Sequence, residues 1–134
     1  MRVGLLRTVG AATALYGVAV TVAPVLLARP SGLVEADGRV AEGTRVSLRP
    51  LAWRDAASGA ALALVPEGPA LRTAALLRIA ADFGDALLLG ATLPDPSARR
   101  KAVAVSVGWG ALSVAGLLAP ARATSGVGRA RRLA

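Results

Sequence analysis

Five ionisable side chains stand inside otherwise apolar stretches of this chain: Arg54, Asp55, Arg78, Asp82 and Asp85, with Arg49 just upstream. Carboxylates beside guanidiniums in a setting of low polarity have the makings of an acid–base site. One carboxylate takes a proton while an arginine holds the neighbouring acid. Asp55, Asp82, Asp85 and Arg54 are therefore the candidate catalytic residues. Arg49, Arg78, Tyr16 and Trp109 are candidates for lining a pocket around them. Other chemistries are excluded by what the chain lacks. It has no cysteine, so no thiol chemistry, disulfide framework or Cys-type metal site. It has no histidine, which removes the usual metal ligand and neutral-pH proton shuttle, and with them zinc hydrolysis and Ser-His-Asp catalysis. No Walker A, no strand-to-helix GxGxxG and no EF-hand is present, and neither a metal nor an organic cofactor is expected.

Such charges need elements that can hold them. The chain has 134 residues, the size of one domain. It is 54% hydrophobic and only 18% charged, against about a quarter charged in a soluble domain. Aromatics make up 3%, so the apolar mass is Ala, Leu, Val and Gly. A soluble core built that way lacks large anchors, whereas helices in lipid associate through small residues. The fold expected is an all-α transmembrane four-helix bundle.

Its first span is expected over about residues 3–28, where some twenty residues after Arg7 carry no charge, enough to cross a hydrocarbon core of roughly 30 Å. A cleaved signal peptide is the rival there. The apolar run is longer than a typical h-region, and no clean A-x-A site follows it. Residues 29–45 form a polar connection with turn-like Asp37-Gly38, and no helix is assigned to them. The second span is expected over about 46–65, with Pro50 in its first turn. Pro66-Glu67-Gly68-Pro69 then makes a tight turn into a third span over about 71–93. Pro94-Asp95-Pro96-Ser97 ends it, the basic cluster Arg99-Arg100-Lys101 follows, and a fourth, uncharged span is expected over about 102–119. These spans make a single domain over 1–119. Residues 120–134 read as a basic flexible tail.

Helical geometry groups the charges. At roughly 100° per residue, Arg78, Asp82 and Asp85 fall within about a 60° arc, and Arg54, Asp55 and Ser58 within about a 100° arc. Ions at mid-membrane cost about 2.5–3.5 kcal/mol each on insertion scales, so these should face one another inside the bundle. Counted from Gly68, Arg54 and Asp82 lie level, while Asp55 with Arg78 and Arg54 with Asp85 are offset by roughly 4–5 Å. The expected pairs are Arg54 with Asp82 or Asp85, and Asp55 with Arg78. One carboxylate is left over unless Arg49 turns inward. Small residues at spacing four (Gly10 and Ala14; Gly59 and Ala63; Ala102, Ser106 and Gly110) supply faces for close packing. Trp53, on a stripe with Arg45 and Arg49, reads as an interfacial anchor.

The net charge is +8. The basic residues sit mainly in short stretches between apolar runs, as in proteins that hold their termini against anionic headgroups, so no nucleic-acid partner is expected. Lys101 is the one lysine among sixteen basic residues. With four spans both termini share a side. Counts of basic residues on the two sides are tied, and the arginine-dense tail favours the cytoplasmic side of the cell membrane.

Arg49-Pro50, Arg54-Asp55-Ala56-Ala57-Ser58-Gly59, Arg78, Ala81-Asp82 and Asp85-Ala86 together resemble a widespread family of uncharacterised small four-span membrane proteins. The resemblance implies a four-helix membrane topology and carries no activity and no catalytic residues. Three functions fit the residues. The first is a bundle whose Arg/Asp site binds a lipophilic small molecule or transforms it by isomerisation, cyclisation or epoxide opening. The second is a structural or accessory subunit, with the ions fixing helix register. The third is a small proton-coupled transporter acting as a homo-oligomer. The bilayer is the partner common to all three.

Overall fold

A computed structural model describes residues 1–120. Among them the chain is all-α, with four long helices and one short one: α1 (Val3–Val22), α2 (Val25–Ala28), α3 (Glu42–Leu64), α4 (Pro69–Thr92) and α5 (Pro96–Leu118). The long helices alternate in direction and close a ring, in which α1 packs on α3, α3 on α4, α4 on α5 and α5 back on α1. The Arg2 N–H donates to the Gly116 carbonyl at 2.7 Å, so the start of α1 and the end of α5 share one end of the bundle.

The boundaries differ from expectation where prolines were read one way only. The first segment is not continuous to Ala28. Pro24, which has no N–H to continue the ladder, separates α1 from the short α2. Helix α3 begins at Glu42, so Pro50 lies inside it rather than in its first turn. The Val46 carbonyl that Pro50 cannot serve is on an exposed face. Helix α5 begins at Pro96, and the basic cluster Arg99–Lys101 belongs to its first turns. Asp95 caps it by accepting the Ala98 N–H at 2.6 Å, and Pro96 occupies the first helical position. The Pro-Asp-Pro-Ser stretch thus ends α4 and starts α5 at once. At the α3–α4 turn Gly68 has φ +104°, which only glycine adopts without strain. The tail expected over 120–134 lies, from residue 121 on, outside the described residues.

Helices α1 and α3 touch backbone to backbone. A Cβ added at Gly10 would lie 2.7 Å from both the Ala63 nitrogen and the Gly59 oxygen, and one at Gly59 would lie 2.5 Å from the Ala14 nitrogen. Gly17 meets the Ala52 and Ala56 backbone in the same way. The stripes Gly10/Ala14 and Gly59/Ala63 are therefore the two faces of one interface. Around the termini end the bundle is filled by Leu6, Val9, Leu62, Leu71, Ala74 and Ala75. Arg7 ties that end down by donating from both terminal nitrogens to the Ala63 and Val65 carbonyls, which the end of α3 leaves free.

Helices α1 and α5 are long and apolar enough to cross a membrane. Helices α3 and α4 match them in length but carry the charges.

Candidate functional site

In the half of the bundle away from the termini, the ring opens into a cavity of about 400 Å³. Its walls are mainly apolar: Leu48 and Leu51 from α3, Leu89 from α4, Val105 from α5, and Leu27 and Leu33 from α2 and the connection after it. Asp55, Arg78, Asp82 and Asp85 also line it, together with Thr13 and Tyr16 of α1 and Ser106 and Trp109 of α5.

The charged side chains form one chain of alternating sign, Asp85–Arg54–Asp55–Arg78–Asp82, that crosses from α4 to α3 and back. Arg54 holds Asp85 with a two-pronged fork, Nη2 to Oδ2 at 2.6 Å and Nη1 to Oδ1 at 3.1 Å. Its Nη2 also donates to Asp55 Oδ1 at 3.0 Å. Arg78 Nη1 donates to the same Asp55 oxygen at 2.9 Å and to Ser58 Oγ at 3.0 Å. Arg78 Nη2 donates to Asp82 Oδ1. Asp55 Oδ1 is therefore the node that joins both guanidiniums. Exposure falls inward from the Arg54 side chain at 41% through Asp55 at 20% to Arg78 at 2%.

Both expected pairings are made, Asp55 with Arg78 and Arg54 with Asp85 rather than Asp82. Arg54 does not pair with Asp82, although the two are level. Level residues pair only if they point at each other. Asp82 lies one turn beyond Arg78 on the buried face of α4 and is taken by it, while Arg54 leans out along the α3 flank. The left-over carboxylate expected from simple counting is absent because each arginine serves two aspartates. Arg49 does not serve as a spare counter-ion. It is exposed and outside the cavity lining, because Leu48 and Leu51 take the inward face of that turn of α3. Trp53, 65% exposed, shares the outer side of α3 with it. Arg54 also stays off the cavity wall and positions the two aspartates that form it.

Tyr16 and Trp109 do line the same cavity, from α1 and α5. Thr13, Ser31 and Lys101 were missed. Thr13 had a signal, since it sits between Gly10 and Gly17 on the buried face of α1. Ser31 belongs to the connection, whose path over the cavity has no periodic pattern to betray it. Lys101 stood out as the one lysine, but it was assigned to a loop rather than to the first turns of a helix that borders the cavity. Buried polar atoms with no hydrogen-bond partner among the described residues include Thr13 Oγ1, Arg78 Nε and Asp82 Oδ2, all from residues that line the cavity.

Comparison of the chain with protein-family models, with curated proteins and with solved structures gives no match.

Proposed function

We propose that this chain is a four-span membrane protein that binds a lipophilic small molecule in the cavity among its helices. The observation that carries the proposal is the cavity's build, with leucine-rich walls onto which Asp55, Arg78, Asp82 and Asp85 of the Arg/Asp network open. Concave, mostly apolar sites with a few convergent polar groups are the usual form of small-molecule pockets. Support for four spans comes from the outside of the charged helix α4. Leu76, Leu77, Phe83, Leu87 and Leu88 are exposed there while Arg78 and Asp82 are buried. That is the inverse of a soluble surface; exposed apolar area of this kind goes with a protein-facing or membrane-facing side, and we read it as the latter. Exposed Leu15, Val18 and Val22 on α1 and Leu112 and Leu118 on α5 continue it. We place both termini on one side, the cytoplasmic one, in keeping with the shared end of α1 and α5. The resemblance to small four-span membrane proteins belongs to the same proposal.

With substrate in the cavity, a carboxylate as base and an arginine-held aspartate as acid are the groups that isomerisation, cyclisation or epoxide opening would use. The second reading, ions as a register device, is favoured by one observation: every one of the three carboxylates has an arginine partner. Three measurements separate these ideas. The protein should resist alkaline carbonate extraction, and recovery in the soluble fraction sinks the membrane assignment. Reporter tags at the two ends should lie on the same side, and opposite sides would mean that α3 or α4 does not span. In lipid nanodiscs the neutral probe 1-adamantanemethanol should bind by calorimetry, above protein-free nanodiscs, and should lose binding when Ser106 on the cavity wall becomes Phe. Binding unaffected by Ser106→Phe would place the probe elsewhere and favour the register reading.

A further inference from the structure

We infer that the molecule held in this cavity carries a hydrogen-bond-donating cationic head, a lipophilic amine in its protonated form. The inference rests on the ligand-binding proposal above and narrows it to one chemical class. Its first support is charge arithmetic. The connected network holds three carboxylates, Asp55, Asp82 and Asp85, and two guanidiniums, Arg54 and Arg78. One negative charge has no counterpart within it. In a site of low polarity an uncompensated charge is costly, and a proton or a cationic partner relieves it.

The second support is independent of that count. Asp82 is 3% exposed and Thr13 4% exposed, both line the cavity, and Asp82 Oδ2 and Thr13 Oγ1 have no hydrogen-bond partner among the described residues. A carboxylate oxygen can only accept, so what satisfies it must donate. An anionic ligand would answer Arg78 Nε alone and would deepen the negative excess. A third support is the pair of aromatics on the walls, Tyr16 and Trp109, residue types whose ring faces attract ammonium groups. The leucines around them suit an apolar body. Lys101 is the one cation on the wall outside the network. It lies nine residues along α5 from Gly110, the residue packed on Asp82, roughly 13 Å at 1.5 Å per residue. That places its backbone well along α5 from the Asp82 contact, and among the described residues no salt bridge joins its ammonium to the network.

The test uses three probes of one shape in nanodiscs holding the full chain: 1-adamantanemethylamine, 1-adamantanemethanol and 1-adamantanecarboxylate, with calorimetry corrected by protein-free nanodiscs. The amine should bind about tenfold tighter than the alcohol, and the carboxylate weakest of all. Substitutions then shift the network's net charge by known steps. Asp85→Asn brings it to neutral and should abolish the amine's preference over the alcohol. Arg54→Gln makes it more negative and should enlarge that preference. The double variant restores the original balance and should restore the original preference, which also answers the objection that a single change merely disturbs the fold. Equal binding of amine and alcohol, or tighter binding of the carboxylate, overturns the cationic head while leaving the lipophilic pocket standing. Failure of all three probes overturns the pocket itself, and with it this inference.

Discussion

The two halves of the bundle are built on opposite principles. At the termini end the space among the helices is taken by Leu6, Val9, Leu62, Leu71, Ala74 and Ala75, and Arg7 locks the last carbonyls of α3. At the other end the same four helices enclose a cavity, and its inward positions go to Thr13, Tyr16, Asp55, Asp82 and Asp85. The boundary falls at Arg78, one turn beyond Ala74 and one turn before Asp82 on the buried face of α4. The lesson is a division of labour. Packing that specifies the fold is concentrated where no chemistry is possible. The charged groups are held apart by helices whose mutual positions are already fixed elsewhere. The α1–α3 contact runs through both halves and makes this affordable, because backbone approach through Gly10, Gly17 and Gly59 leaves no side chain that must fill space.

The sharpest way to break the contrast is to push α1 and α3 apart. Gly59→Val puts side-chain atoms where the Ala14 nitrogen and Gly10 oxygen already stand, 2.5 and 2.7 Å from a Cβ. Overpacking typically costs about 1–3 kcal/mol. Here the obstacle is backbone, which cannot swing aside, so the loss should exceed that range, and monodisperse protein should not be recovered in detergent. The control is Gly84→Ala on α4, where nothing lies within 4 Å of an added Cβ. Helix propensity predicts a gain of up to about 1 kcal/mol, read as a higher Tm. Equal behaviour of the two variants would mean that α1 and α3 do not pack as described.

The next largest effect lies at the boundary. Arg78→Leu leaves Asp82 buried without its only arginine, and breaking a buried pair typically costs about 3–5 kcal/mol. Arg78→Leu with Asp82→Leu should recover much of that, since Asp55 keeps Arg54. Arg54→Leu should cost less, because the Arg54 side chain is 41% exposed and its loss leaves Asp55 paired with Arg78. Denaturation midpoints in one detergent would rank the three. If Arg54→Leu proves the most damaging, the gradient of burial along the network is wrong.

Much of this was legible in the sequence because it depends on spacing. Arg78, Asp82 and Asp85 share a helix face by angle alone, and the depth count from Gly68 brought Asp55 to Arg78. The small-residue stripes named both faces of the α1–α3 interface. What the count could not give was direction. Arg54 and Asp82 are level, yet each turns to a nearer partner, and that depends on how α3 and α4 are rotated about their axes. Proline was the other blind spot. Pro24 broke an apolar run that hydropathy read as continuous, and Pro96 opened a helix from within a motif that also closes one. Of the segments that line the cavity beyond the long helices, α2 falls within the stretch expected as the end of the first span, and Ser31 and Leu33 belong to the connection, which has no periodicity. Mean hydropathy marks only α1 and α5 as long and apolar enough to cross a membrane, while the exposed leucines on the outer side of α4 become visible only once the structure separates outside from inside.

The smallest expected effect on stability is also the cleanest test of the division between halves. Ala75 is fully buried in the closed half, and Ser106 lines the cavity in the open half. The same substitution, to Phe, adds comparable volume at both. In the closed half Ala75→Phe has no space to enter and should destabilise by about 1–3 kcal/mol. In the open half Ser106→Phe projects into a cavity of about 400 Å³ among leucines and Trp109. Filling such space with apolar surface is neutral or mildly stabilising, by about 0.5–2 kcal/mol at most, so Tm should hold or rise by a few degrees. Binding of the adamantane probes should nevertheless fall, because the ring takes their place. A stable Ser106→Phe variant that has lost binding separates folding from function within one bundle. A Ser106→Phe variant that unfolds as readily as Ala75→Phe would mean that the cavity is not open in the folded protein, and the contrast between the two halves would not survive.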